Sequence, residues 1–405
     1  MIPGDTRGAR RWLVAALWAV LAVALVVTLR RAALRWSDFV GYRDCGEAVL
    51  GGTYGPHDAV PMPYWVWPPF FAYLCVAAAW LARQGELLPR LLWAGLNLGL
   101  LALVARRWML PLIPPDARRL ALPLSLVGCA SFLASTVAYH QINALVLALL
   151  VLGLARIGHG RSASGGVLLG LAGGIKVWPA FLLPWLLLRG ERRAVGAAVL
   201  TGGLTLLAPA LLFGPARALE LTAAWLFGGA AASGGAHEGR NQSLNGVLTR
   251  LLTDVPAGIG GFPQTNIAAF DPSLVTRLAL GLGLAVFLWL SVRVARRPTT
   301  MLEELAVLAP AALLLVSPLL WRHYLVVLLG GAALAAGRLV SGGPIDRTTR
   351  VLLGLAVLLT LVQEPALTGE RLSRAALSLN ATFLLTALAI AAFERLRVPR
   401  QVRDG

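Results

Sequence analysis

GLAGGIKVWPAFLLPWLLLRG, residues Gly170–Gly190, is an apolar stretch interrupted by a single charged side chain, Lys176, before its final arginine. The protein has 36 lysine and arginine residues, and Lys176 is the one lysine among them. The apolar arms on either side, 162–174 and 177–188, are each shorter than the roughly 20 residues that a helix needs to cross a bilayer. Glycines and a proline around Lys176 favour a break between the arms. The stretch therefore predicts a helical hairpin that enters the membrane and returns, with Lys176 at its turn.

The composition extends this picture to the whole chain of 405 residues. Apolar residues make up 58% of it and charged residues 14%, with a mean hydropathy of +0.73. A typical soluble domain has about 25% charged residues. Apolar stretches of about 15–20 residues recur from end to end, long enough to cross or nearly cross a bilayer. We therefore predict an all-α, polytopic transmembrane helical bundle of about twelve membrane helices, built as a single domain over residues 1–405.

The net charge of +17 also fits a membrane protein. The arginines lie in short clusters between the apolar stretches, for example Arg106–Arg107, Arg192–Arg193 and Arg296–Arg297. Basic loops of this kind lie on the cytoplasmic side and near anionic lipids. We therefore exclude a nucleic-acid partner and predict a multi-pass protein of the bacterial plasma membrane, with its polar sites on the outer side.

No sequence feature indicates a metal or a cofactor. The cysteines Cys45, Cys75 and Cys129 lack the spacing of metal ligands and suggest no disulfide framework. No two histidines have the i, i+4 spacing of a zinc site, and no glycine-rich phosphate loop follows a strand. We therefore identify no metal-ligating residues and expect no cofactor.

Lys176 itself has two interpretations. Its ammonium group could snorkel to the membrane interface without a further role. An ionisable group within a membrane segment is, however, a sign of function. Because every other basic residue is an arginine, the second interpretation is the stronger one.

The predicted first outer loop, residues 30–67, carries a second charged group close to the membrane. Asp38 follows the first apolar stretch, and Tyr42 and Asp44 lie on what reads as a short amphipathic helix. Tyr64 follows in a segment rich in tyrosine, proline and tryptophan. Asp38 could cap this helix, or it could act as a general base beside a membrane-embedded site. The spacing alone favours neither role.

Three further polar clusters interrupt apolar sequence, and the alternation of spans places all of them on the outer side. They are His140, Gln141 and Asn143; then Arg240, Asn241, Gln242 and Asn245 in a second outer region, residues 213–272; and then Trp321, Arg322 and His323. We expect one polar cavity that opens outward. The cations Lys176, Arg322 and His323 suit a phosphate or pyrophosphate, and a carboxylate suits a hydroxyl group that must lose its proton.

Six features occur in an order that resembles glycosyltransferase family 87, a family of GT-C-type membrane enzymes that use polyprenyl-phosphate sugars. They are Asp38 after the first helix, the aromatic loop from Tyr42 to Phe70 ending in WPPF, HQIN (140–143), GLAGGIKVWPAFLL (170–183), NQSLNGVLTRLL (241–252) and SPLLWRHYLVVLL (317–329). The resemblance runs from residue 36 to residue 340 and implies a GT-C fold with a large first outer loop. Family members include mannosyltransferases of phosphatidylinositol mannoside and lipomannan assembly and an arabinofuranosyltransferase.

The resemblance implies roles for individual residues. Asp38 falls where GT-C enzymes place the carboxylate that deprotonates the acceptor hydroxyl. Lys176 falls at the family's motif lysine, where it would bind the donor phosphate together with Arg322 or His323. His323 matches the first position of a His-His or His-aromatic pair, and the second residue here is Tyr324. The resemblance therefore implies a catalytic role for His323.

These roles imply a hexosyltransferase that moves a sugar, with mannose as the first candidate, from a polyprenyl-phosphate donor to a lipid-linked or glycan acceptor on the outer face, with inversion. A lipid phosphate is the leaving group, so no nucleotide is implied. Asp38 and Lys176 should then lie close together on one cavity. Tyr139–His140 stand where the family often has a glycine before the glutamine, a departure that alters the cavity wall.

Other functions stay open at this point. A polyprenyl-phosphate arabinofuranosyltransferase would carry the same groups, and a lipid or glycolipid flippase would also need a polar cavity lined by cations. The lack of visible internal repeats and the asymmetric first outer loop argue against a transporter. A scaffold without chemistry would leave the polar clusters unexplained.

Overall fold

The computed structural model describes residues 6–34, 37–54, 67–226, 238–256, 262 and 265–397, and within them all regular structure is helical. In the first half the helices are α1 (Thr6–Leu34), α2 (Asp38–Leu50), α3 (Ala72–Ala82), α4 (Leu87–Val104), α5 (Leu110–Leu112), α6 (Arg118–Gly128), α7 (Ala130–Ala138), α8 (Asn143–Gly158), α9 (Ser162–Ile175) and α10 (Leu183–Leu188). A π-helical turn, Ala105–Met109, joins α4 to α5. The predicted all-α class is confirmed.

The second half continues with helices of similar length. They are α11 (Arg192–Leu207), α12 (Ala210–Phe213), α13 (Pro215–Ala224), α14 (Leu244–Leu252), α15 (Pro272–Arg296), α16 (Met301–Leu315), α17 (Leu329–Val340), α18 (Arg347–Val362), α19 (Pro365–Ser378) and α20 (Ala381–Leu396). A 3₁₀ segment, Arg322–Leu328, leads into α17, and α19 is interrupted at Gly369, where φ is +79°.

Several of these helices are long and apolar enough to cross a membrane. In the described part of the chain there are five such stretches, Gly8–Leu50, Leu87–Leu112, Arg192–Phe213, Pro272–Arg296 and Arg322–Val340, and up to seven if each of two bent helix pairs is one span. The two arms of the predicted hairpin, Ser162–Ile175 and Trp178–Leu188, are among the shorter apolar helices. The protein is therefore a multi-pass membrane protein, and the number of about twelve spans stays a prediction.

Helix α16 lies at the centre of the bundle. Its residues from Leu305 to Leu314 are all buried, on every side of the helix. A helix that is apolar all round belongs in such a position. Its C-terminal end leads directly into the loop that carries His323, so this loop starts from the rigid core of the protein.

A row of glycines packs α9 tightly against its neighbour α11. Gly166, Gly170 and Gly174 recur every four residues on one face of α9, and each faces residues of α11. Small residues at this spacing let membrane helices approach closely. The row ends two residues before Lys176. The close contact with α11 therefore holds in place the helix that Lys176 follows.

We expect Gly166→Ala to destabilise the protein. A methyl group at position 166 would overlap the main-chain carbonyl of Ala194, and overpacking of this kind costs about 1–3 kcal/mol. Thermal unfolding in detergent should show a lower melting temperature. Gly173→Ala is the matched control in the same helix, because its nearest neighbour, Ala180, would be 3.8 Å away. An equal loss in both variants would contradict the packing argument.

Candidate active site

Asp38 begins helix α2, which is tied into the protein core. Phe39 and Tyr42 on the next turn are each 1% exposed, and Tyr42 packs against the rings of Trp67, Phe71 and Trp93. These contacts hold the first turn of α2 in place. The Asp38 carboxylate accepts a hydrogen bond from the Gln141 side-chain amide.

Gln141 belongs to a turn between α7 and α8 that has an unusual backbone. His140 has φ of +55°, in the left-handed region that favours glycine. Its ring is fully buried, with Nδ1 2.7 Å from the Ser37 hydroxyl and Nε2 3.1 Å from the Arg90 carbonyl oxygen. A carbonyl can only accept, so Nε2 carries the proton and Nδ1 accepts from Ser37.

Burial lowers the pKa of His140 to about 4 from its ordinary 6.5. The folded protein thus keeps this ring neutral at pH values where an unfolded histidine takes up a proton. Stability supplied by the neutral ring is complete above pH 6.5 and is lost as the pH falls from there to about 4.

We therefore expect the melting temperature of the wild-type protein to fall across this interval more than that of His140→Asn, whose side chain does not titrate. Parallel thermal unfolding at several pH values compares the two proteins. Curves with the same pH dependence would remove His140 as the cause.

Lys176 ends helix α9 in an extended conformation and is 8% exposed. Its Nζ donates to Asn143 Oδ1 at 2.8 Å and lies 3.9 Å from the centre of the Tyr324 ring. No carboxylate of the described residues lies within ion-pair distance of Nζ, although the charges of Lys176 and Asp38 interact. A buried ammonium held by an amide and a π-face is prepared to accept an anion.

The loop after α16 meets these residues through its main chain. The carbonyl of His323 accepts from Asn143 Nδ2 at 3.2 Å and from the Thr136 hydroxyl at 3.1 Å. The amide of Asn143 is therefore shared between Lys176 and this loop. The His323 ring is 8% exposed and packs against Trp321 and Tyr324.

A cavity of about 880 Å³ borders this loop. Its wall includes Tyr139, Arg240, Trp321, Arg322 and His323. The Arg322 guanidinium pairs with the Glu364 carboxylate and donates to the Ser131 hydroxyl. It is thus placed on the cavity wall with its own counter-ion, and no contact joins it to Lys176.

Two amides of the NQSLN segment have backbone partners. Asn241 bonds to the main chain of Pro318 and Leu320, and the Gln242 side-chain amide donates to the carbonyls of Gly239 and Leu377. Both residues are completely buried. Asn241 fastens this segment to the loop that carries His323, and Gln242 fastens it to α19.

The remaining predicted site residues are Asp44, Asn245 and Tyr64. Asp44 forms an ion pair with Arg43 at 2.7 Å and is about one-third exposed, without contact to Asp38. The side-chain oxygen of Asn245 is buried and finds no hydrogen-bond partner among the described residues. Tyr64 lies outside the described residues.

Some residues at the site were missed in the sequence. Ser37 reads as an ordinary helix cap, Thr136 as part of an apolar helix, and Glu364 as a loop residue after α18. No local pattern marks any of the three. The described residues contain no group of three or more His, Cys, Asp or Glu side chains that could hold a metal ion.

The apolar helices define a multi-pass membrane protein. Its interior holds buried polar side chains, among them Gln141, Asn143 and Lys176. The model of glycosyltransferase family 87 matches residues 65–318, more than half of the chain. The protein belongs to this family and is a membrane glycosyltransferase, as its motifs predicted. No curated protein and no solved structure matches the chain significantly. The matched range contains Lys176 and the 139–142 turn, whereas Asp38 and His323 lie outside it.

Proposed function

We propose that this glycosyltransferase moves mannose from a polyprenyl-phosphate donor to a lipid-linked or glycan acceptor, with inversion at the anomeric carbon. The observation that carries the proposal is that one short turn holds both a carboxylate and an ammonium group. Gln141 holds Asp38, and Asn143, two residues later, holds Lys176. A proton acceptor and a cation are thus each held by a side-chain amide of the same short turn.

The mechanism follows from the charges of the two groups. Asp38 takes the proton of the acceptor hydroxyl as its oxygen attacks the anomeric carbon. The bond between this carbon and the phosphate oxygen breaks on the opposite side, and the phosphate keeps the electron pair. Lys176 stabilises the negative charge that develops on the leaving phosphate. No second acid is required, because the lipid phosphate leaves as an anion.

His323 and Arg322 have different places in this proposal. The His323 ring lies on the cavity wall beside Tyr324, which supports a role at the sugar or the acceptor. Arg322 is already paired with Glu364. We therefore assign it to the cavity wall and not to binding of the donor phosphate. Substrate groups that enter the cavity would meet both.

The proposal includes the orientation of the site. Lys176 lies at one end of both hairpin arms, and Arg161 and Arg189 lie at the other. Basic residues at helix ends favour the cytoplasmic side. This supports an active site that faces the outer side of the bacterial plasma membrane.

The test uses purified protein in lipid with polyprenyl-phosphate mannose, radiolabelled in the sugar, and an acceptor lipid extract. We expect label to appear in glycolipid with the wild-type protein and to be absent with Asp38→Asn. A parallel reaction contains polyprenyl-phosphate arabinofuranose. Transfer of arabinofuranose alone would overturn the choice of mannose, and transfer from neither donor would overturn the donor class.

A further inference from the structure

We propose that His140 and Ser37 are positioning residues that orient the Asp38 carboxylate for catalysis without touching substrate. The proposal rests on the proposed function, because it takes Asp38 as the base. It assigns His140 to the support of the active site, where the sequence had suggested a substrate contact.

The first observation is a pair of parallel contacts. His140 and Gln141 are consecutive, and they bind Ser37 and Asp38, which are also consecutive. The two segments are 103 residues apart in the chain. The two adjacent bonds join the first turn of α2 to the 139–142 turn at two consecutive positions, in addition to the packing of Phe39 and Tyr42.

The second observation is the use of the Ser37 hydroxyl. Ser37 occupies the N-cap position of α2, where a serine side chain ordinarily accepts from a backbone N–H of the first turn. Here it makes no such bond. The hydroxyl is directed to His140 at 2.7 Å instead, so the helix forgoes its usual cap for the contact beside Asp38.

The third observation is the conformation of His140. A non-glycine residue with positive φ persists where its surroundings determine it, and such residues concentrate at functional sites. The ring is anchored on its far side by the Arg90 carbonyl of α4. His140 thus connects α4 to the start of α2 and supports Gln141 from the neighbouring position.

The loss of rate expected without His140 can be estimated from the general dependence of catalysis on the position of the catalytic group. A displacement of about 1 Å in a catalytic group can cost about 100-fold in rate. We expect His140→Gly, which accepts the positive φ without strain, to lower kcat by about 10- to 100-fold. The KM values for donor and acceptor should stay within about twofold, since neither residue binds substrate.

The test is a double-mutant cycle on folded protein. Ser37→Ala should reproduce the kcat loss of His140→Gly, and the double variant should be no slower than either, because all three lack the same contact. His140→Asn, which tolerates positive φ and can accept from Ser37, should recover part of kcat. The exposed His159→Asn is the matched control and should keep the wild-type kcat.

A pH profile separates positioning from proton transfer. The plot of kcat against pH for His140→Asn should rise and fall at the same pH values as the wild-type plot, with lower kcat throughout. Loss of the rise or of the fall would make His140 an acid or base itself, and additive losses in the cycle would mean that Ser37 and His140 act separately. Either result overturns the proposal, as does a folded His140→Gly with the wild-type kcat. If Asp38→Asn also keeps activity, the proposed function fails as well.

Discussion

Asp38→Asn should lower sugar transfer by about 1,000-fold, within the range that a positioned general base contributes. Asparagine has nearly the same shape, and its side-chain oxygen can still accept from the Gln141 amide. The variant therefore keeps the fold and the hydrogen bond but cannot take up the acceptor proton. Initial rates of label transfer at saturating donor measure the effect.

Asp44→Asn is the matched control for this result. Asp44 lies six residues further along the same helix, at the surface beside Arg43. Its replacement should leave the rate within about twofold, because the ion pair is partly exposed and remote from substrate. A rate near wild type in Asp38→Asn, or equal losses in both variants, would remove Asp38 as the base.

Lys176→Met should lower kcat by about 100- to 1,000-fold, the usual cost of losing one preorganised charge at a developing anion. The same substitution should leave the melting temperature unchanged or raise it. The ammonium is 8% exposed, so an apolar side chain removes a desolvation cost that offsets the loss of the hydrogen bond to Asn143. A lower kcat together with an unchanged or higher melting temperature would show that Lys176 serves catalysis and not stability.

Lys176→Arg tests whether charge alone is sufficient. The guanidinium keeps the charge but is broader than an ammonium, and the contacts to Asn143 and Tyr324 leave a compact site. We expect partial recovery of kcat relative to Lys176→Met. A drop in stability in both variants with unchanged kcat per folded molecule would show that Lys176 has only a structural role.

Local patterns in the sequence were sufficient to predict the helical class and the break in the helix at Lys176. The apolar arms around Lys176, with their glycines and proline, end where the structure ends α9 and begins the next helix. The glycine row Gly166, Gly170 and Gly174 and its partner, α11, became evident only from the packed structure.

The site was predicted less completely, for a physical reason. In an apolar chain, a polar residue stands out equally whether it binds substrate or satisfies backbone groups. Asn241 binds main-chain groups of the His323 loop and Gln242 binds those of Gly239 and Leu377, whereas Asn143 holds Lys176. The partners come from distant parts of the chain, as with Arg322 and Glu364, which are 42 residues apart.

The short segment from Gln141 to Asn143 has one further consequence. Because one residue lies between the two amides, the groups that hold the carboxylate and the ammonium are separated by a short, fixed length of backbone. If the two charges act on one sugar phosphate, as proposed, this spacing is common to every acceptor. We then expect differences in acceptor choice to arise from residues that line the cavity of about 880 Å³ beside His323.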